Sequence, residues 1–95
     1  MATLRFEWDE KKSLINARKH GVSFDEAKTV FYDDHARLVD DPEHSEDEER
    51  FILLGFSASL RLLVVCHCYL DEDNVIRIIS ARKAKSGEAL HYRKR

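Results

Sequence analysis

Proline occurs once and glycine three times in the 95 residues. A collagen-like chain and a Pro/Gly-rich linker are thereby excluded, and there is no repeat or low-complexity segment. Long apolar runs are missing too; none approaches the roughly 20 residues that a membrane-crossing helix needs. The first residues, Met1-Ala2-Thr3-Leu4-Arg5, lack the apolar stretch of a secretory signal. The two cysteines, Cys66 and Cys68, lie two positions apart in a predicted strand. On a strand their side chains point the same way and stand too far apart for a relaxed disulfide. Two reduced thiols in a cytoplasmic protein are therefore expected. No glycine-rich phosphate loop, dinucleotide fingerprint or Ser-His-Asp order stands out, and nothing points to an organic cofactor.

What is present is a chain of ordinary hydrophobicity (43%) and high charge (36%). Residues 1–95 are expected to form one domain with a single core. The net charge of −2 conceals an asymmetry. Asp40 to Glu49 is acidic, whereas Arg82 to Arg95 is basic with Glu88 as its one acid. Net charge therefore says little about partners, while the basic end suits either a solvated helix face or a nucleic-acid contact.

Periodicity predicts the elements. Leu4 to Trp8 alternates as a short strand does. Asp9 caps a helix over Glu10 to His20, with an apolar stripe at Leu14, Ile15 and Ala17 and with Gly21 at the C′ position. Ser23 and Glu26 form a capping box for a second helix, whose Phe24, Ala27, Val30 and Phe31 should face the core. His35 to Val39 reads as a strand, and the acidic segment with Pro42 as an exposed loop. Arg50–Phe56, Leu60 or Arg61 to Leu70, and Val75–Arg82 read as strands of an antiparallel meander. A C-terminal helix follows from Lys83. The expected class is α+β: two N-terminal helices packed on an antiparallel sheet, with a C-terminal helix. In the long strand, the even positions Leu62, Val64, Cys66, Cys68 and Leu70 are expected to face the core. The odd positions, including Arg61, His67 and Tyr69, form a mixed surface.

The run Val75-Ile76-Arg77-Ile78-Ile79-Ser80-Ala81-Arg82-Lys83-Ala84 is the most informative stretch. A β-branched strand that fills a sheet interior has no packing use for guanidinium groups, and burying one unpaired is very costly. The planar donor fork of arginine matches phosphate. Pairing with the acidic loop is the competing use for Arg77. Hairpin register decides whether Arg77 or Arg82 shares the face of Arg61. His20 and Lys19 close a helix, where cations are favoured by the dipole; an imidazole there also suits general acid–base work. His44 carries the same two readings, and Glu49-Arg50 suits either an orienting pair or an edge ion pair. Cys66-His67-Cys68 is a poor metal motif, because alternation sends His67 to the face opposite the cysteines.

Three segments resemble the BrnT family, the toxin half of bacterial type II toxin–antitoxin systems. They are Phe6-Glu7-Trp8-Asp9 with Lys12, Asn16 and Lys19-His20-Gly21-Val22-Ser23-Phe24-Asp25-Glu26-Ala27; His44 with Glu49-Arg50, Gly55 and Arg61; and Arg77-Ile78-Ile79-Ser80-Ala81-Arg82-Lys83-Ala84 with Glu88 and Tyr92. The resemblance implies a RelE-like fold and a ribonuclease that blocks translation. It also implies a BrnA-like antitoxin with a ribbon-helix-helix DNA-binding region, joined to the toxin in a heterotetramer that represses its own promoter.

Metal-independent RNA cleavage needs a base for the 2′-OH, cations for the phosphorane and an acid for the leaving oxygen. Arg61 and Arg77 are the first candidates for phosphate and transition-state contact, with Arg82 for the substrate backbone. His20 and Lys19 are candidates for proton transfer or phosphate contact, and Trp8 for stacking on a base. The competing classes are a noncatalytic module that binds a protein on its open sheet face and a nucleic-acid binder working through the basic C-terminus.

Overall fold

The computed structural model describes residues 4–40, 49–72 and 74–94. Among them the order is β1 (Arg5–Glu7), α1 (Glu10–His20), α2 (Phe24–Thr29), a 3₁₀ turn (Val30–Tyr32), β2 (Arg37–Asp40), β3 (Phe51–Phe56), β4 (Leu62–Leu70), β5 (Val75–Lys83) and α3 (Ser86–Arg93). The described strands form one five-stranded sheet in the order β1-β5-β4-β3-β2. The antiparallel meander is present, but the sheet is mixed, because β1 runs parallel to β5. Alternation over three residues identifies a strand without naming its neighbour. The two helices and three strands between β1 and β5 supply the crossover that parallel pairing requires.

The N-terminal caps follow the sequence. The Asp9 carboxylate accepts hydrogen bonds from the Lys11 and Lys12 N–H groups at 2.9 and 3.3 Å. Ser23 Oγ accepts from the Glu26 N–H at 3.1 Å. Gly21 takes φ 70° after α1 and donates to the Ala17 carbonyl. The left-handed region strongly favours glycine, and here it ends the helix immediately beyond His20.

Helices α1 and α2 cover one face of the sheet, where Val22, Phe24, Ala27, Val30, Leu53, Leu63, Val65, Ile78 and Ala81 form the main core. On the other face Tyr92 of α3 packs against Leu54 and Val64. The odd positions of β4 therefore face the main core, the reverse of the expected arrangement. Both faces are covered, so Leu62-Leu63-Val64-Val65 offers no polar–apolar contrast from which to read orientation. His67 misleads for a second reason. It is fully buried, within hydrogen-bond reach of the Val65 carbonyl and the Tyr69 hydroxyl, both at 3.2 Å, and stands edge-on to Phe31 at 4.8 Å. Burial pushes its pKa below the ordinary 6.5, against the Val65 carbonyl contact.

Helix α1 is also inverted. Its buried residues are Ser13 and Asn16, whereas Leu14 and Ile15 are each 61% exposed. Ser13 Oγ accepts from the Phe24 N–H at 3.2 Å. The Asn16 amide donates to the Val22 and Ala81 carbonyls at 2.8 and 2.7 Å and accepts from the Ala81 N–H at 3.2 Å. Hydrogen bonds, rather than an apolar stripe, seat this helix.

Register in β5 carries one irregularity. Cys66 pairs with Ser80 and His67 with Ile78, so Ile79 is an extra residue in a bulge. In a regular strand Arg77 and Arg82 would project from opposite faces. The bulge puts both on the face of Cys68 and Val64, their register partners.

Candidate active site

On the even face, a cleft of about 340 Å³ opens between β3, β4, β5 and the end of α1. Its floor is apolar, made by Ile52, Val64 and Ile79. Its polar groups are His20, Arg50, Cys66, Ser80 and Arg82. Each arrives by a different structural device. His20 closes α1 and is held there by the Gly21 turn. Arg50 immediately precedes β3, and Cys66 and Ser80 are cross-strand partners. Arg82 reaches the cleft because the Ile79 bulge has reset the alternation of β5. Two guanidinium groups and an imidazole around an apolar floor make a site suited to a phosphodiester: donors for the anion, and one group that exchanges protons.

Arg82 is oriented from the α3 side. Its two terminal nitrogens donate to the two Glu88 oxygens at 2.8 and 2.7 Å, a bidentate pair. Glu88 also accepts from the Lys85 N–H at 2.8 Å, so the same carboxylate caps the first turn of α3. These bonds, those from Arg82 foremost, hold the Glu88 pKa down at about 2 despite partial burial. At the far end of α3, Arg37 donates to the His91 and Lys94 carbonyls at 2.7 and 2.6 Å. Tyr92 donates its hydroxyl to Asp33 at 2.7 Å.

The remaining sequence candidates lie elsewhere. Arg61 sits on the helix face, paired with Glu26 through a 2.8 Å bond from Nε and a second bond from Nη2. The same Nη2 donates to the Gly21 carbonyl at 2.8 Å, so Arg61 braces the turn that carries His20 without entering the cleft. The Arg61 hydrogen bonds pull the Glu26 pKa below its usual range, against burial. Arg77 is paired with Glu7 of β1, its register neighbour, and both are substantially exposed. Arg61 and Arg77 were expected to meet at one centre; the structure puts them on opposite faces of the sheet. Leu70 pairs with Val75, so the hairpin register is the even one, which leaves Arg77 off the face of Arg61; the bulge follows Arg77 and moves Arg82 off that face too. Lys19 is exposed beside His20. Trp8 stands edge-on to Phe24 at 6.2 Å, has Lys28 Nζ 5.8 Å from its ring centre, and donates to Glu10 at 3.0 Å. It is built into the helix side of the sheet. His44 lies outside the described residues. Cys66, Ser80 and, as a cleft residue, Arg50 are absent from the sequence-derived site; the Glu49-Arg50 pair was the available signal.

The geometry defines an α+β protein with a basic, partly apolar cleft on the sheet face opposite its two N-terminal helices. Comparison with known proteins gives its family. The family described as "Ribonuclease toxin, BrnT, of type II toxin-antitoxin system" matches residues 8–88. The chain belongs to this BrnT family. The crystal structure of the Brucella abortus ribonuclease toxin BrnT superimposes with a TM-score of 0.68 at 23% identity, covering 88% of this chain and 100% of that one, which shows a shared fold. A search of curated proteins gives no match.

Proposed function

We propose that the chain is a metal-independent endoribonuclease whose reaction takes place in the cleft of His20, Arg50 and Arg82. The observation that carries this reading is the convergence of those three side chains on one cleft from three separate parts of the chain. RNA supplies its own nucleophile. His20 is placed to take the proton from a 2′-hydroxyl as it attacks the adjacent phosphorus and to return one to the departing 5′-oxygen. Arg50 and Arg82 supply positive charge where the phosphorane gathers negative charge. Lys19, exposed at the same helix end, steers the RNA backbone. Arg61 is a positioning residue in this scheme, Arg77 serves only its exposed pair with Glu7, and Trp8 stabilises the helix layer.

The BrnT resemblance extends the reading. The fold is RelE-like, cleavage arrests translation and growth in the cytoplasm, and an antitoxin with a ribbon-helix-helix region neutralises the toxin. Two copies of each chain form the complex, which reaches DNA only through the antitoxin.

Incubating antitoxin-free protein with RNA in the presence of a chelator tests the reading. Fragments ending in a cyclic or 3′ phosphate are expected, formed roughly 10²–10³-fold more slowly by folded His20→Ala or Arg82→Ala protein. Intact RNA with wild-type protein that still binds its antitoxin identifies a noncatalytic binding module instead.

A further inference from the structure

The cleft depends on two segments that the sheet alone does not hold together. His20 ends α1, whereas Arg82 stands on β5 beyond the described β1 pairing, which runs from Val75 to Arg77. The Ala81 N–H and C=O, whose residue pairs with Val65 across β4, both bond the Asn16 side chain. One buried amide thus substitutes for the missing strand at the residue before Arg82. Its NH₂ group also holds the Val22 carbonyl, two residues after His20. A primary amide suits both tasks, since it has two donor hydrogens and an acceptor oxygen. An apolar residue of similar size would seat the helix but leave the Ala81 and Val22 groups unpaired.

We infer that Asn16 is a positioning residue that sets the separation of His20 from Arg82, and that it acts on the catalytic step without touching RNA. The inference rests on the ribonuclease reading for its kinetic consequence, but not for its structural one. A buried clamp of three hydrogen bonds fixes both sides of the cleft. Loss of the clamp lets the imidazole and guanidinium drift relative to each other, and a misplacement of about 1 Å costs roughly 100-fold in rate.

The test uses the full chain with Asn16→Ala, and with Asn16→Asp as a second variant that keeps the size and the acceptor for the Ala81 N–H. Thermal melting establishes the folded fraction. With an oligoribonucleotide substrate, kcat for the folded variant is expected to fall by roughly 100-fold while KM stays within about twofold. An unchanged kcat, or a loss no larger than the unfolded fraction explains, overturns the inference. Inorganic phosphate provides a readout independent of cleavage. In wild-type protein its addition should shift the His20 ring and Arg82 side-chain NMR resonances with one common dissociation constant. In the variants, the two groups should report separate, weaker constants. A common constant equal to the wild-type value, or absence of any shift in wild-type protein, overturns the inference. If wild-type protein leaves RNA intact but shows the phosphate result, the ribonuclease reading fails and the clamp stands.

Discussion

Two arginine–glutamate pairs occupy opposite faces of this sheet, with similar chemistry and different surroundings. Arg61 and Glu26 tie the start of β4 to α2 and, through the Gly21 carbonyl, to the turn after His20. Arg82 and Glu88 tie β5 to the first turn of α3 at the margin of a basic cleft. Each guanidinium has a carboxylate partner, so pairing alone does not distinguish a structural cation from a reactive one. What differs is the volume beside the pair: the cleft lies at Arg82 and not at Arg61.

The largest expected effect tests that difference directly. Arg82→Ala should lower RNA cleavage by roughly 10²–10³-fold, about 2.7–4 kcal/mol in the barrier. Steady-state kinetics on protein shown to be folded checks this. Arg61→Ala should act on folding first, by leaving Glu26 with the Ser57 hydroxyl but no guanidinium and by releasing the Gly21 carbonyl. Its thermal midpoint should drop by several degrees, while cleavage per folded molecule falls much less than in Arg82→Ala. If Arg61→Ala abolishes cleavage at unchanged midpoint, the division of labour is reversed.

Acid titration separates the buried histidine from both pairs. His67 has a lowered pKa, so the folded state resists a proton that the unfolded chain accepts near 6.5. Stability should therefore begin to fall as pH drops below about 6.5, and His67→Phe should remove that part of the slope. Glu88 acts at lower pH. Its depressed pKa contributes stability that is complete above its ordinary 4.5 and lost as pH falls toward about 2. The pair is partly exposed, so solvent screening limits its contribution to no more than about 1 kcal/mol. Glu88→Gln should flatten the melting curve's pH dependence over that lower window.

The smallest effect is expected at Arg77. Its partner Glu7 and its own side chain are more than a third exposed or close to it, at 45% and 35%. Exposed pairs of this kind contribute about 0.2–1 kcal/mol. Arg77→Ala should accordingly leave melting and cleavage nearly unchanged, and a large loss of cleavage would transfer Arg77 to the reaction centre.

The sequence made the local structure legible wherever a short-range rule applied. Asp9, Ser23 and Gly21 act on neighbours within one turn, so they located the ends of α1 and the start of α2. Glu88 and Arg82 lay in the matching motif but gave no hint of pairing. The site depended on information of longer range. The Ile79 bulge alters one residue of register and moves Arg82 to another face; no side chain near it announces this. The faces of β4 were unreadable because both are covered, and His67 looked like a surface residue because its ring partners, Phe51 of β3 and Phe31 of the 3₁₀ turn, meet it only in the folded chain. Gly55 is a further long-range case. A Cβ there would stand 2.9 Å from Ala36 Cβ and 3.0 Å from Asp33 Oδ2, a crowding visible only once the chain is folded.

The inverted burial of α1 has a consequence for the order of folding. Apolar contacts reward approximate approach, whereas a hydrogen bond requires direction and distance together. Helix α2, with Phe24 and Ala27 at the core, can join a loose collapse around β4 and β5. Helix α1 gains its native contacts only after Val22 and Ala81 have reached their final places. It should therefore dock late, after the rate-limiting step. In a denaturant chevron, Asn16→Ala should steepen the loss of the native state by accelerating unfolding, with little change in the refolding rate.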